Sequence, residues 1–118
     1  MKVFIIGDHG PEHNSIRSIH KTYAGAFREW EKLRLELLAD AKHMLESDKK
    51  DARDALKRGT WRDGKKLDNE SIEYFREKAA KGDEMWLRMI KNLKCKDPKK
   101  IDNYPHDTPY IHGHEVKE

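Results

Sequence analysis

The sequence has a single cysteine and no long hydrophobic run. With Cys95 alone, an intrachain disulfide is excluded, and a reduced, partly buried thiol is its ordinary role. No apolar stretch approaches the roughly 20 residues that a membrane-spanning helix needs. The apolar run at the N-terminus ends at Gly7 and Asp8, which is too early for a signal peptide. We therefore expect a soluble, cytosolic protein.

The sequence also lacks a strong net charge of either sign. Its 25 basic residues nearly balance 22 acidic ones, so the formal net charge at pH 7 is +3 and no global attraction to nucleic acid is expected. Charged residues make up 40% of the chain and hydrophobic residues 36%. This composition suits long helices with much solvated surface, and it suits an oligomer whose core is completed between chains. The length of 118 residues predicts one domain, residues 1–118, with a modest core.

The chain is organised around one long amphipathic helix, predicted for Tyr23–Arg58. Its apolar residues recur at steps of three and four and therefore form one stripe along the helix. They are Phe27, Trp30, Leu33, Leu37, Leu38, Ala41, Met44, Leu45, Ala52, Ala55 and Leu56. Thr22 is expected to cap the N-terminus, and Gly59 to end the helix. A break near Ser47, within a polar segment, is the alternative to a continuous helix.

A second helix is predicted from about Asn69 to Leu93, with Asp68 or Asn69 as its cap. Alternating steps of three and four give it a coiled-coil-like seam formed by Ile72, Phe75, Ala79, Gly82, Trp86, Met89 and Leu93. Gly82 on this seam indicates a close approach of the two helices, and a break into two helices there is the alternative. Several apolar residues of the two helices need cover, which predicts homo-oligomerisation through the helices: Leu35, Leu38, Met85 and Leu87.

Three short segments predict β-strands. Val3–Ile6 is apolar on both faces, as expected for a strand in the middle of a small sheet. Ile16–Tyr23 predicts a second strand antiparallel to the first, and Tyr110–Val116 predicts a last one. The predicted fold class is α+β: an N-terminal strand pair plus a C-terminal strand form a small antiparallel sheet, accompanied by a long antiparallel helical hairpin.

Two histidine-containing segments raise the alternatives of a phosphoesterase or a metal site. Residues 5–10 and 112–114 resemble the opening and closing motifs of metallophosphoesterases, but the intermediate ligand blocks are absent and the chain is too short for that fold. If the first and last strands pair, a metal site would use His9, His13, His112 and His114, completed by Asp8 and Glu115. Strand histidines bonded to water or backbone are the commoner outcome. We therefore expect no catalytic residue, no metal and no cofactor.

The favoured candidate site is an anion or nucleotide pocket at the start of the first helix. A helical hairpin returns the chain to that end, where free amides attract anions and Arg28 offers a fork for phosphate. Tyr104 and Tyr110 would stack on a base, and the short polar side chains would bond to ribose hydroxyls or base edges. The expected ligand contacts are Tyr23, Ala24, Arg28, Asn103, Tyr104, Asp107, Thr108 and Tyr110. An ordinary surface loop is the alternative.

A basic aromatic cluster occupies the loop at the other end of the predicted hairpin. It consists of Trp61, Arg62, Lys65 and Lys66. A tryptophan that closes the tip of the hairpin is the preferred interpretation, and contact with nucleic acid is the alternative.

As a whole, the chain resembles small proteins of tailed bacteriophages. The shared features are an opening Lys-Val-Phe-Ile-Ile strand, a second strand running into Tyr-Ala-Gly-Ala-Phe, a charged helix and a final Tyr-Ile-x-x-x-Glu-Val strand. In size and layout it is most similar to the Thoeris anti-defence sponge proteins. That resemblance implies a non-enzymatic oligomer that sequesters cyclic ADP-ribose isomers or cyclic oligonucleotides in the host cytoplasm, with ligand contacts at Arg28 and in the loop before the last strand. A phage inhibitor that docks directly on a host defence protein is the alternative, and a metal-dependent phosphoesterase is the third.

Overall fold

The computed structural model of the chain describes residues 1–9, 14–102 and 108–117. In chain order the elements are β1 (Lys2–His9), β2 (Asn14–His20), α1 (Tyr23–Arg58), α2 (Asn69–Lys81), α3 (Glu84–Leu93) and β3 (Thr108–Glu115). The predicted α+β class is confirmed: a three-stranded antiparallel sheet is combined with a helical hairpin. The chain divides into two compact units, residues 1–39 with 91–118 and residues 40–90. The single domain spanning residues 1–118 stays a prediction.

The sheet of the first unit has the order β2-β1-β3, so β1 lies in the centre as its apolar run predicts. Ile6 pairs with Ser18 and Gly7 with Ile16, which leaves Arg17 as the extra residue of a β-bulge. On the other side Gly7 pairs with Tyr110. Because side chains alternate between the two faces of a strand, Ile6 and Gly7 point to opposite faces. β2 ends at His20, before the predicted Tyr23, since Thr22 is used to cap the following helix.

Trp30 is the centre of the first unit's core. Its side chain is completely buried, and its ring lies 5.7 Å from that of Phe27. The indole Nε1–H donates to the carbonyl oxygen of Pro109 at 2.9 Å, so the polar atom of the tryptophan is satisfied inside the core. This bond joins α1 to the beginning of β3.

Arg34 is a buried cation that the sequence analysis does not anticipate. It follows Trp30 by four residues and so lies on the apolar side of α1. Its Nη1–H donates to the carbonyl oxygen of Leu93 at 2.6 Å, and this oxygen belongs to the last turn of α3. Its Nε–H donates to the carboxylate of Glu31, and this hydrogen bond lowers the pKa of that carboxyl below its usual range. The guanidinium therefore caps the C-terminal end of a helix, where a cation is favourable.

In the second unit, the boundaries of the helices follow local capping signals. α1 is continuous through Ser47, and Gly59 ends it with a positive φ of 72°. Asp68 caps α2 by accepting from the amide of Ser71 at 2.7 Å. The prediction of one continuous helix over residues 69–93 is wrong, because Gly82 adopts φ 83° and ψ −178° and Asp83 caps a new helix by accepting from the amide of Met85. The break into two helices is thus the correct alternative.

Candidate functional site

The N-terminus of α1 presents open backbone donors. Thr22 caps it as predicted, since its Oγ1 accepts from the amide of Gly25 at 3.1 Å. The amide of Ala26 reaches the carbonyl oxygen of Thr22, also at 3.1 Å. Helix geometry gives the earlier amides, those of Tyr23 and Ala24, no carbonyl partner within the helix. The first turn contains no acidic residue, so no carboxylate of its own offsets the positive potential of this helix end.

Three side chains converge on Gly25 at this helix end. A Cβ at Gly25 would lie 3.1 Å from Oγ1 of Thr22, 3.6 Å from Nδ1 of His20 and 3.9 Å from Nη2 of Arg28. The His20 ring is held from its other side, because its Nε2 lies 2.8 Å from Oγ of Ser18. The Nδ1 atom is consequently the one directed at the helix terminus. We call this arrangement of Thr22, His20 and Arg28 around Gly25 the Gly25 corner.

The Tyr23 ring lies beside the corner with part of its surface in water. Its centroid is 5.6 Å from that of Phe4, in an edge-to-face geometry, and 6.3 Å from that of Phe27. The residue nevertheless stays 45% exposed. The two neighbouring rings fix the orientation of Tyr23, so an aromatic surface is available without the cost of ordering a free side chain.

The predicted ligand contacts of the C-terminal strand lie elsewhere in the first unit. Tyr110 is only 7% exposed, with its ring between His9 and His112 at centroid distances of 4.3 and 4.4 Å. Its hydroxyl donates to the carbonyl oxygen of Ser15 at 3.3 Å, and burial raises the pKa of Tyr110. Tyr110 pairs with Gly7, three residues along β1 from the Phe4 ring that Tyr23 touches, so alternation places the two tyrosines on opposite faces of the sheet.

The structure therefore brings together Tyr23, Ala24 and Arg28 of the predicted site, while Tyr110 lies apart from them. Thr108 is 1% exposed, and its ligand role, like that of Tyr110, stays a prediction. The remaining predicted contacts, Asn103, Tyr104 and Asp107, lie outside the described residues.

His20 is the member of the corner that the sequence analysis misses. The position of His20 in the sequence could have identified it. It ends a strand two residues before the helix cap Thr22, so its side chain lies beside the open helix terminus.

The strand histidines are arranged as a cross-strand cluster. β1 and β3 do pair, and the rings of His9 and His112 lie 5.6 Å apart. His13, the further residue of the metal alternative, lies outside the described residues. Within residues 1–9, 14–102 and 108–117, no three His, Cys, Asp or Glu side chains form a group that could hold a metal ion.

The chain matches no protein-family model, no curated protein and no solved structure. Its resemblance to the Thoeris anti-defence proteins therefore stays a prediction. Among the described helices, none combines the length and the apolar character required to cross a membrane.

Proposed function

We propose that the protein is a non-enzymatic phage anti-defence protein that binds and sequesters a nucleotide-derived immune signal in the host cytoplasm. The ligand class is a cyclic ADP-ribose isomer or a cyclic oligonucleotide. The observation that carries the proposal is the Gly25 corner, where His20, Thr22 and Arg28 surround a glycine at an open helix N-terminus. A guanidinium and free helix amides are the groups that bind phosphate oxygens most effectively.

The role of each group in the corner follows from its chemistry. Gly25 has no side chain, so a phosphate oxygen can approach the first-turn amides closely. Arg28 is exposed and supplies a planar fork for two phosphate oxygens. Because Ser18 occupies Nε2 of His20, the Nδ1 atom remains as a further hydrogen-bonding group for the ligand. Tyr23 then offers an aromatic surface to a base of the same ligand.

The test separates binding from turnover. The protein is incubated with a panel of cyclic nucleotides, passed through a desalting column and heat-denatured, and the released material is analysed by chromatography. We expect release of an intact cyclic nucleotide. A chemically altered ligand would instead identify an enzyme such as a phosphoesterase, and the absence of any binding would favour an inhibitor that docks on a host defence protein.

Arg28→Ala is expected to weaken binding of the captured cyclic nucleotide about tenfold or more, because charge-assisted hydrogen bonds contribute roughly 1.5–3 kcal/mol each. The fold should be retained, since Arg28 is exposed and lies off the apolar stripe. Isothermal titration calorimetry measures the change. Arg28→Lys keeps the charge without the fork and should fall between Arg28→Ala and the unsubstituted protein. Arg53→Ala, the same substitution at an exposed arginine farther along α1, is the control and should leave the affinity unchanged. Binding by Arg28→Ala as tight as that of the unsubstituted protein would move the site away from the corner.

Self-association through the helices is part of the proposal. Leu35 is 53% exposed, Leu87 41% and Met85 38%, whereas Leu38 is buried within its own chain. Covering the exposed side chains in an oligomer would remove apolar surface from water, at roughly 25 cal/mol per Å². We expect sedimentation velocity at micromolar concentration to give at least a dimer of the 14.0 kDa chain. The double variant Leu35→Arg with Leu87→Arg should sediment as a monomer and keep its helix content. Sedimentation of the unsubstituted protein as a monomer would contradict the expectation.

A further inference from the structure

The turn between α1 and α2 concentrates positive charge. Five of the ten residues 57–66 are basic, and Asp63 is the only acidic one among them. The basic residues are Lys57, Arg58, Arg62, Lys65 and Lys66. They are exposed, and none of them forms an ion pair with any carboxylate in the described part of the chain. A carboxylate oxygen of Asp63 is used within the turn, where it accepts from the amide of Lys65 at 3.0 Å.

The backbone of this basic turn is fixed by its own hydrogen bonds. The amide of Trp61 donates to the carbonyl oxygen of Lys65 at 2.8 Å, and that of Leu67 donates to Gly59 at 3.0 Å. Gly59 and Gly64 supply the positive φ values of 72° and 88° that the chain reversal requires. The Nε–H of Arg58 also donates to the carbonyl oxygen of Thr60 at 3.0 Å. Cations that no carboxylate neutralises therefore project from an ordered frame, which lowers the entropy cost of binding a partner.

Trp61 adds an aromatic surface to the basic turn. Its ring packs edge-to-face on Phe75, with centroids 5.2 Å apart, yet the residue remains 42% exposed. Trp30, by comparison, is fully buried. Packing on Phe75 uses one part of the ring, and the exposed part stays available to a partner. An indole held in place beside unpaired cations matches the stacking platforms that bind unpaired bases.

We infer that the basic turn, residues 57–66, is a docking site for single-stranded nucleic acid. Arg58, Arg62, Lys65 and Lys66 neutralise phosphates, and Trp61 stacks on a base. This function goes beyond the capture of a nucleotide signal and is independent of the Gly25 corner. A net charge of only +3 predicts a modest affinity, and the phosphate contacts make that affinity strongly salt-dependent.

Single-stranded nucleic acid fits the turn better than the other polyanions. Sequence-reading of duplex DNA uses a helix or a two-stranded ribbon in the major groove, whereas the face of an unpaired base is open to a single exposed indole. An anionic membrane surface requires a broad apolar face beside the cations. Apart from Trp61, residues 57–66 are polar, charged or glycine, so the turn provides no such face.

The test is fluorescence anisotropy of a labelled oligothymidylate titrated with the full chain from about 50 to about 200 mM salt. With four phosphate contacts, the slope of log affinity against log salt should be about −3. Lys65→Gln with Lys66→Gln removes two of these contacts and should make this slope shallower by about 1.4. Trp61→Ala should lower the affinity about fivefold or more. The matched control is Lys99→Gln with Lys100→Gln, an exposed lysine pair with the same change in net charge, which should leave binding unchanged.

Each other outcome would overturn the inference. Failure of the unsubstituted protein to bind at the lowest salt would exclude the site. Equal losses for the two lysine pairs would indicate general electrostatic attraction without a site in the turn. Full affinity in Trp61→Ala would exclude base stacking. Binding to phosphatidylserine vesicles without binding to the oligonucleotide would identify the turn as a membrane contact.

Discussion

Gly7→Ala is expected to destabilise the protein by about 3 kcal/mol or more, the upper range for overpacking of a well-packed site. A Cβ at this position would lie well inside 3.0 Å of the carbonyl oxygen of Ser15, and 2.5 Å from the hydroxyl of Tyr110. The first obstacle is backbone of the paired strand, which cannot rotate away as a side chain can. The second is a buried ring held between His9 and His112. Urea unfolding followed by circular dichroism measures the loss.

Gly113→Ala is the matched control for Gly7→Ala, because Gly113 is also a strand glycine of the same sheet. Its added Cβ would lie 2.7 Å from Cε of Lys2, the far end of an exposed and flexible side chain. That side chain can move aside, so the change in the free energy of unfolding should stay within about 0.5 kcal/mol. Tyr110→Ala should not rescue Gly7→Ala, since the carbonyl oxygen of Ser15 remains in place. Equal stability of the two glycine variants would show that the register at the bulge differs from the one described.

The architecture was predictable where local chemistry decides it. A strand that is apolar on both faces has to be central, and β1 lies between β2 and β3. Thr22 and Asp68 cap helices because a short oxygen-bearing side chain satisfies a first-turn amide. Gly59 ends α1 because it tolerates a positive φ.

Features that depend on contacts between distant residues were not predictable. Arg34 lies on the apolar side of α1, but an arginine is rarely buried without a partner, and its partner, the Leu93 carbonyl oxygen, is distant in sequence. The spacing around Gly82 fits a continuous seam as well as it fits two helices, so periodicity does not reveal the break. Spacing alone favoured the wrong one of these two alternatives.

The residues of the candidate site also fall into those that local sequence places and those that depend on distant contacts. Tyr23, Ala24 and Arg28 lie within two turns of one helix, so any structure containing that helix brings them together. Tyr110 depends on the register of β1 against β3, which pairs it with Gly7 and puts it on the other face of the sheet from Tyr23. A shift of one residue would reverse that face, and the sequence alone does not fix the shift.

Gly82→Ala is expected to cost about 3–5 kcal/mol, because two separate effects combine. The first is backbone strain: φ 83° with ψ −178° is a conformation that only glycine adopts readily, and non-glycine residues there cost about 1–3 kcal/mol. The second is packing, since the new Cβ would lie well inside 3.0 Å of Cδ1 of Leu45 and 3.2 Å from Cε of Lys49. Leu45 is a buried side chain with little room to move. Thermal and urea unfolding of the variant measure the sum of the two effects.

Gly64→Ala separates the strain at Gly82 from the packing. Gly64 has a φ of 88°, close to that of Gly82, but an added Cβ there meets no atom within 4 Å. Gly64→Ala should therefore lower the free energy of unfolding by about 1–2 kcal/mol, which measures the cost of a positive φ without a steric clash. Leu45→Ala alone should cost about 2–5 kcal/mol, whereas Leu45→Ala combined with Gly82→Ala should cost less than the sum of the single losses, because the clash has been removed. Equal losses for Gly82→Ala and Gly64→Ala, with additivity in the double variant, would mean that α1 does not pack against the break between α2 and α3.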